Sequence, residues 1–190
     1  QYHAFETRPD GAPRYDTVIV DAPATGHGLD LLRVPRVILD VVPPGLLRRE
    51  AERAWGLFTD PVRAGVVLVA IPEELPTNET IELYATVRDE LRLPVCGLVV
   101  NQVWPPLFTE AEHATLETLA GATVPGAADA DVALASWSRA QREAVQAEAL
   151  ARLRREVPVP CFELPALFVR DFRRREVEAL ANHFDPPAGP

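Results

Sequence analysis

The chain has 190 residues, enough for one domain with a substantial core. Its 47% apolar and 25% charged residues match an ordinary globular protein. A net charge of -9 argues against a nucleic-acid or anionic-membrane surface, since both are gripped through excess Lys and Arg, and no stable membrane insertion is expected.

In chain order, the first element is YDTVIVD, whose β-branched run predicts a strand at Val18–Val20 ending in Asp21. A loop carrying Pro23, Thr25, Gly26, His27 and Gly28 follows. Residues 31–63 have helical character interrupted by Pro35, Pro43 and Pro44, which predicts a short helical excursion. GVVLVAIP predicts a second strand at Val66–Ile71. The next segment predicts a helix capped by Thr77 or Asn78, with Ile81, Leu83, Tyr84, Val87 and Leu91 as its apolar stripe and Pro94 ending it. A third strand is predicted at Val95–Asn101. Thr109 and Glu112 then form a capping-box pattern opening a helix that stops at Gly121. An Ala-rich helix is predicted over Asp129–Glu156 and a fourth strand over Val159–Leu164. RDFRRRE (Arg170–Glu176) reads as the solvated face of a last helix, and residues 186–190 as a frayed tail.

Continuous Val/Ile/Leu runs without strict alternation predict strands covered on both faces. Their alternation with helices predicts a single α/β domain over 1–190, with a mostly parallel sheet flanked by helices. Cys96 and Cys161 lie far apart in apolar runs, outside any CxxC pair, and are expected to be buried small hydrophobes in a reducing compartment. The apolar run Gly65–Pro72 is too short to span a bilayer. With no signal-peptide pattern, the expected location is cytoplasmic. The chain contains no methionine, so it is expected to be a piece of a longer protein.

Ligands of open parallel sheets bind beyond the carboxyl ends of the strands, where Asp21 is expected. A carboxylate there can hold Mg²⁺ through its waters. Gly26 and Gly28 let backbone N–H groups approach an anion, and the Thr25 hydroxyl can donate to a phosphate. The same residues also fit a plain turn in which Asp21 caps the following helix.

The stretch VDAPATGHGLDLLRVP resembles the switch II segment of the ArsA-type anion-transporting (arsenite-pump) ATPases, D-T-A-P-T-G-H-T-L-R-x-L-x-x-P, in the P-loop NTPase superfamily. Asp21, Thr25, Gly26, His27, Leu29, Leu32 and Pro35 fall in register. VVLVAIPEELPTNETIEL and LPVCGLVVNQVWPP resemble two further stretches of that family in the same order, and the likeness runs from Tyr15 to Phe184.

The resemblance implies a P-loop NTPase-like, Rossmann-like three-layer fold. It implies an ATP hydrolase using ATP and Mg²⁺, with Asp21 acting on Mg²⁺ and Thr25, Gly26, His27 and Gly28 reporting the γ-phosphate. Asn101 would meet the adenine edge with Gln102 beside it, and Leu164, Pro165 and Ala166 would supply the adenine-side loop. It also implies a homodimer, or a heterodimer with a homologous ATPase, coupled to a protein client. The alternative is a non-catalytic ATPase-like scaffold or regulator paired with an active homologue.

Three departures narrow this expectation. The phosphate-cradling pattern G-x-x-x-x-G-K-[ST] does not occur, and no glycine precedes a lysine. The expected product is therefore a chain that cannot hydrolyse ATP alone. Gly28 and Asp30 replace the family's threonine and arginine. Zinc-clamp and metalloid-binding cysteines are missing, which argues against arsenite transport or tail-anchor targeting as the specific task.

Overall fold

The computed structural model describes residues 6–23, 25–122 and 130–184, with residue 25 described by its backbone alone. Its frame is α/β: a three-stranded parallel sheet flanked by helices. The chain divides into two compact units, one holding residues up to Gly65 with Thr86–Pro94, the other Val66–Ala85 with residues from Val95 onward.

The second unit contains the sheet. Strands β1 (Val66–Ala70), β2 (Val95–Val103) and β3 (Cys161–Pro165) run parallel in the order β1-β2-β3. Parallel neighbours need long crossovers. A helix, α3 (Glu74–Ala85), lies between β1 and β2 in the chain. The pair α4 (Glu110–Ala122) and α5 (Ala130–Glu156) lies between β2 and β3. Leu68 sits opposite Leu98 and Ala70 opposite Val100. These four join Tyr84 of α3, Leu150 and Leu153 of α5, and Val157 in one core cluster. Each fully buried Leu or Val there contributes about 1.5–3 kcal/mol relative to leaving it in water.

The opposite face is covered unevenly. Val99 lies opposite Phe162, whose ring centroid is 5.4 Å from that of Phe184. Val67 and Val69 on β1 remain 51% and 66% exposed. The expectation of strands covered on both faces therefore holds along β2 and fails at β1. An edge strand has a neighbour on one side only, and α3 and α5 cover only the face that carries Leu68 and Ala70.

Helix α3 starts at Glu74, three residues before the expected cap. Pro76 falls in its first turn, where a missing N–H breaks no helical bond. Thr77, expected as a cap, is instead 1% exposed inside the helix, donating its N–H to the Glu73 carbonyl at 3.0 Å. The helix continues into a π-helical turn, Thr86–Glu90. The capping box at α4 forms as read: the Thr109 N–H donates to Glu112 Oε2 at 2.7 Å, and the Glu112 N–H returns to Thr109 Oγ1 at 3.4 Å.

The first unit is a helical hairpin of α1 (Thr25–Val41) and α2 (Leu46–Phe58). Pro43 and Pro44 separate the helices as expected, but Pro35 lies buried inside α1 without ending it. A single proline removes one helical hydrogen bond, and the bonds on either side carry the helix through. Arg48 of α2 closes the hairpin, donating to the carbonyls of Leu39 at 2.7 Å and Val42 at 3.0 Å. These are orphan acceptors at the end of α1.

Val18–Val20, expected as a strand, belongs to no strand. Ile19 and Val20 are 89% and 69% exposed. β-branched residues favour extended backbone, but a strand exists only where a neighbouring ladder accepts its N–H groups. Among the described residues this segment has no such ladder. A last short helix, α6 (Arg174–Ala181), takes in only the end of the basic run, since Arg170 and Arg173 precede it, with Glu176 buried at its start and accepting the Arg173 N–H at 3.0 Å.

Candidate functional site

On the first unit, Asp21 ends the extended segment and is exposed, as are Gly26 and His27. Helix α1 begins at Thr25, so Thr25, Gly26, His27 and Gly28 make up its opening turn. The N–H groups of a first turn have no acceptor within the helix, and the helix dipole favours an anion there. The Thr25 side chain lies outside the described residues. Gly28 is buried because the chain folds tightly back on Pro23: a Cβ at Gly28 would stand 2.7 Å from the Pro23 carbonyl oxygen. This is closer than a real Cβ approaches an oxygen, so the loop as built accepts only glycine. A Cβ at Gly26 would meet nothing within 4 Å.

On the second unit, Asn101 and Gln102 occupy the carboxyl end of β2, and Pro165 the carboxyl end of β3. The sheet brings these two ends together. Val103 pairs with Pro165, and the Ala166 N–H donates to the Val103 carbonyl at 2.8 Å. The ladder shifts register between Val100 and Val103. Within that irregularity Gln102 adopts φ 58, the left-handed region that non-glycine residues seldom enter. The Asn101 Oδ1 accepts the Gln102 N–H at 2.9 Å and supports the kink.

A set of residues that the sequence reading missed holds the chain just beyond this kink. The Gln146 side chain grips both backbone groups of Trp104, accepting its N–H at 2.7 Å and donating to its carbonyl at 2.9 Å. Glu143 accepts the N–H groups of Leu107 at 3.0 Å and Phe108 at 3.4 Å. Arg139 donates to Glu143 at 2.6 Å and to the Pro105 carbonyl at 2.7 Å, with its guanidinium carbon 4.2 Å from the Trp104 ring centroid. Burial pushes the Glu143 carboxyl up, but the Arg139 hydrogen bond and the two backbone N–H bonds outweigh it and hold the group below the usual carboxylate range. The available signal was a charge in the wrong place. Glu143 lies on the same buried side of α5 as Ala140, Leu150 and Leu153, where an unpaired carboxylate would be costly.

Among the described residues, no group of three or more His, Cys, Asp or Glu side chains converges as a metal cage. Two shallow cavities, of 210 Å³ around Trp104, Ser138, Arg139 and Arg142 and of 300 Å³ around Pro44, Arg48 and Glu52, are lined by none of the expected site residues. The first is smaller than the pockets that enclose drug-sized ligands, about 300–1,000 Å³. The free thiols also depart from expectation. Cys96 is exposed, because it opens β2 beside the edge strand, and Cys161 is half-buried with its thiol pushed up by burial and by Glu163. All 19 basic side chains are arginine, so a lysine of a phosphate cradle is not among these residues. Of the described helices, none is long and apolar enough to cross a membrane.

No family model matches the chain. Among curated proteins it is similar to the putative ATPase Mb3704 of Mycobacterium bovis, the putative ATPase MT3781 of Mycobacterium tuberculosis (strain CDC 1551) and the ATPase BagA of M. tuberculosis (strain H37Rv). Each is 28% identical over 169 residues, covering 82% of this chain and 48% of the relative. The chain thus spans about half the length of these relatives.

Proposed function

We propose that the chain is the switch and base-recognising portion of an ArsA-like ATPase, one that couples Mg·ATP binding and hydrolysis to a client or partner protein. The observation that carries this reading is the ordered set of motifs. TGH lies in the opening turn of α1, and VNQ lies near the carboxyl end of a central parallel strand whose Val103 pairs with Pro165, an order that supports the ArsA-like reading. The similarity to proteins named ATPases supports the nucleotide chemistry.

In this reading Asp21 holds Mg²⁺ through its waters, which suits one exposed carboxylate better than a protein cage would. The opening turn of α1 supplies N–H donors toward the γ-phosphate. Asn101 and Gln102 meet the base. ATP supplies the phosphoryl group. The lysine and glycine cradle for the β- and γ-phosphates comes from outside these 190 residues. The working unit is a homodimer, or a heterodimer with a homologous ATPase, in the cytoplasm. A non-catalytic partner of an active homologue remains the second reading, favoured by the lack of any lysine in the chain.

The test is turnover in the full-length protein. Asp21→Asn should remove most Mg-dependent ATP hydrolysis while far-UV circular dichroism stays that of the parent. Parental turnover with parental Mg²⁺ dependence would overturn the role given to Asp21. A full-length protein with no phosphate cradle and no turnover would leave the scaffold reading in its place.

A further inference from the structure

We propose that Gln146 and Glu143 of α5 are positioning residues for base selection, fixing the Asn101–Gln102 corner in the arrangement that meets a purine edge. The proposal rests on the ATPase reading and adds to it the element that sets the choice of base. Left-handed backbone at a residue such as Gln102 persists only where the surroundings over-determine it. Here the determinants lie on both sides. Before the kink, the Asn101 Oδ1 holds the Gln102 N–H at 2.9 Å. After it, Val103 is tied to Ala166 at 2.8 Å, and Trp104 is tied by both backbone groups to Gln146 at 2.7 and 2.9 Å. Glu143 fixes Leu107 and Phe108 beyond that.

The two-point amide clamp on Trp104 matters most, because it does the work of a neighbouring strand where the ladder has already broken. With Oδ1 engaged by the Gln102 N–H, the Nδ2 hydrogens are the donors left to the Asn101 side chain; they suit N1 of adenine, an acceptor, and not N1 of guanine, which carries a hydrogen. Releasing Trp104 would let residues 101–104 relax toward ordinary strand backbone. That motion turns the Asn101 amide without removing any atom from the base site.

The experiment measures binding of Mg·ATP and Mg·GTP to the full-length protein and to its Gln146→Leu and Gln146→Glu variants, with hydrogen exchange followed at the Trp104 amide. Gln146→Leu should exchange faster at Trp104. It should lose about tenfold in affinity for ATP and less than about twofold for GTP, the scale of one displaced hydrogen bond. Glu at 146 keeps the acceptor for the Trp104 N–H and loses the donor to its carbonyl, so it should fall between parent and Leu. It is also the variant to read if Leu disturbs folding. An unchanged ATP-to-GTP ratio in variants whose Trp104 amide exchanges faster would overturn the proposal while leaving the ATPase reading intact. If the parent binds neither nucleotide, the ATPase reading falls and the proposal falls with it; ATP binding unchanged by Asn101→Ala would overturn the base contact at Asn101, and the proposal with it, while leaving the ATPase reading standing.

Discussion

The segment Asp21–Gly28 and the loop after β2 are both Pro- and Gly- or Asn-bearing exits from Val-rich runs, yet the chain treats them differently. In the first, Asp21, Gly26 and His27 are exposed, the preceding run forms no strand, and the Pro23 carbonyl closely approaches Gly28. The second leaves a central strand and is held by four side-chain hydrogen bonds from Gln146 and Glu143 to backbone groups of Trp104, Leu107 and Phe108. A recognition loop is rigid where another element satisfies its backbone. The lesson is that motif residues alone do not say how firmly a site is built.

The largest effect expected from this contrast is at Glu143. Glu143→Ala leaves the Leu107 and Phe108 N–H groups without their acceptor and removes one of the two that Arg139 has, and should cost about 2–3 kcal/mol in urea denaturation. Asp21→Asn, on the exposed side, should leave the midpoint where it was. Equal midpoint shifts for the two variants would break the comparison.

Next comes the glycine pair. Gly28→Ala should destabilise by about 1–2 kcal/mol, since backbone and not a flexible side chain stands in the way. Gly26→Ala has open space and should be neutral or slightly stabilising, because alanine favours helix. Thermal melts of both variants distinguish a built turn from a loose one. A smaller loss, about 1 kcal/mol, is expected for Thr109→Ala, which removes the cap of α4. It should speed amide exchange in that helix first.

The smallest effect is one of pH. The Glu143 carboxyl is lowered in the folded state, so its stabilisation is fully present above its unfolded value of about 4.3. That stabilisation is lost as pH falls through the lower folded value. Denaturation midpoints followed from pH 6 into the acid range should fall less steeply in Glu143→Gln than in the parent. Parallel acid arms would mean that Arg139 and the loop amides do not favour the ionised form.

Much of the fold was legible from local pattern. The three strands that formed are those whose apolar runs sit between helical periods, and the Thr109–Glu112 box and the long α5 follow directly from their residues. The failures share a cause. Val18–Val20 has strand propensity but no ladder, Thr77 resembles a cap but lies inside a helix that Pro76 permits to start earlier, and Pro35 is carried through by the bonds around it. In the site, the identities of Asp21, Thr25, Gly26, His27 and Asn101 were readable as motif. Gln146, Glu143 and Arg139 were not, because they lie 34 to 42 positions from the loop residues they hold.

The sequence by itself determined the α/β alternation and the positions of the three strands that formed, since these depend on periodicity and side-chain type along a few neighbouring positions. Only the tertiary structure decided which strand has a partner, why position 28 is glycine, and what holds the corner at Gln102. Each of those depends on backbone groups distant in the chain finding, or failing to find, a hydrogen-bond partner.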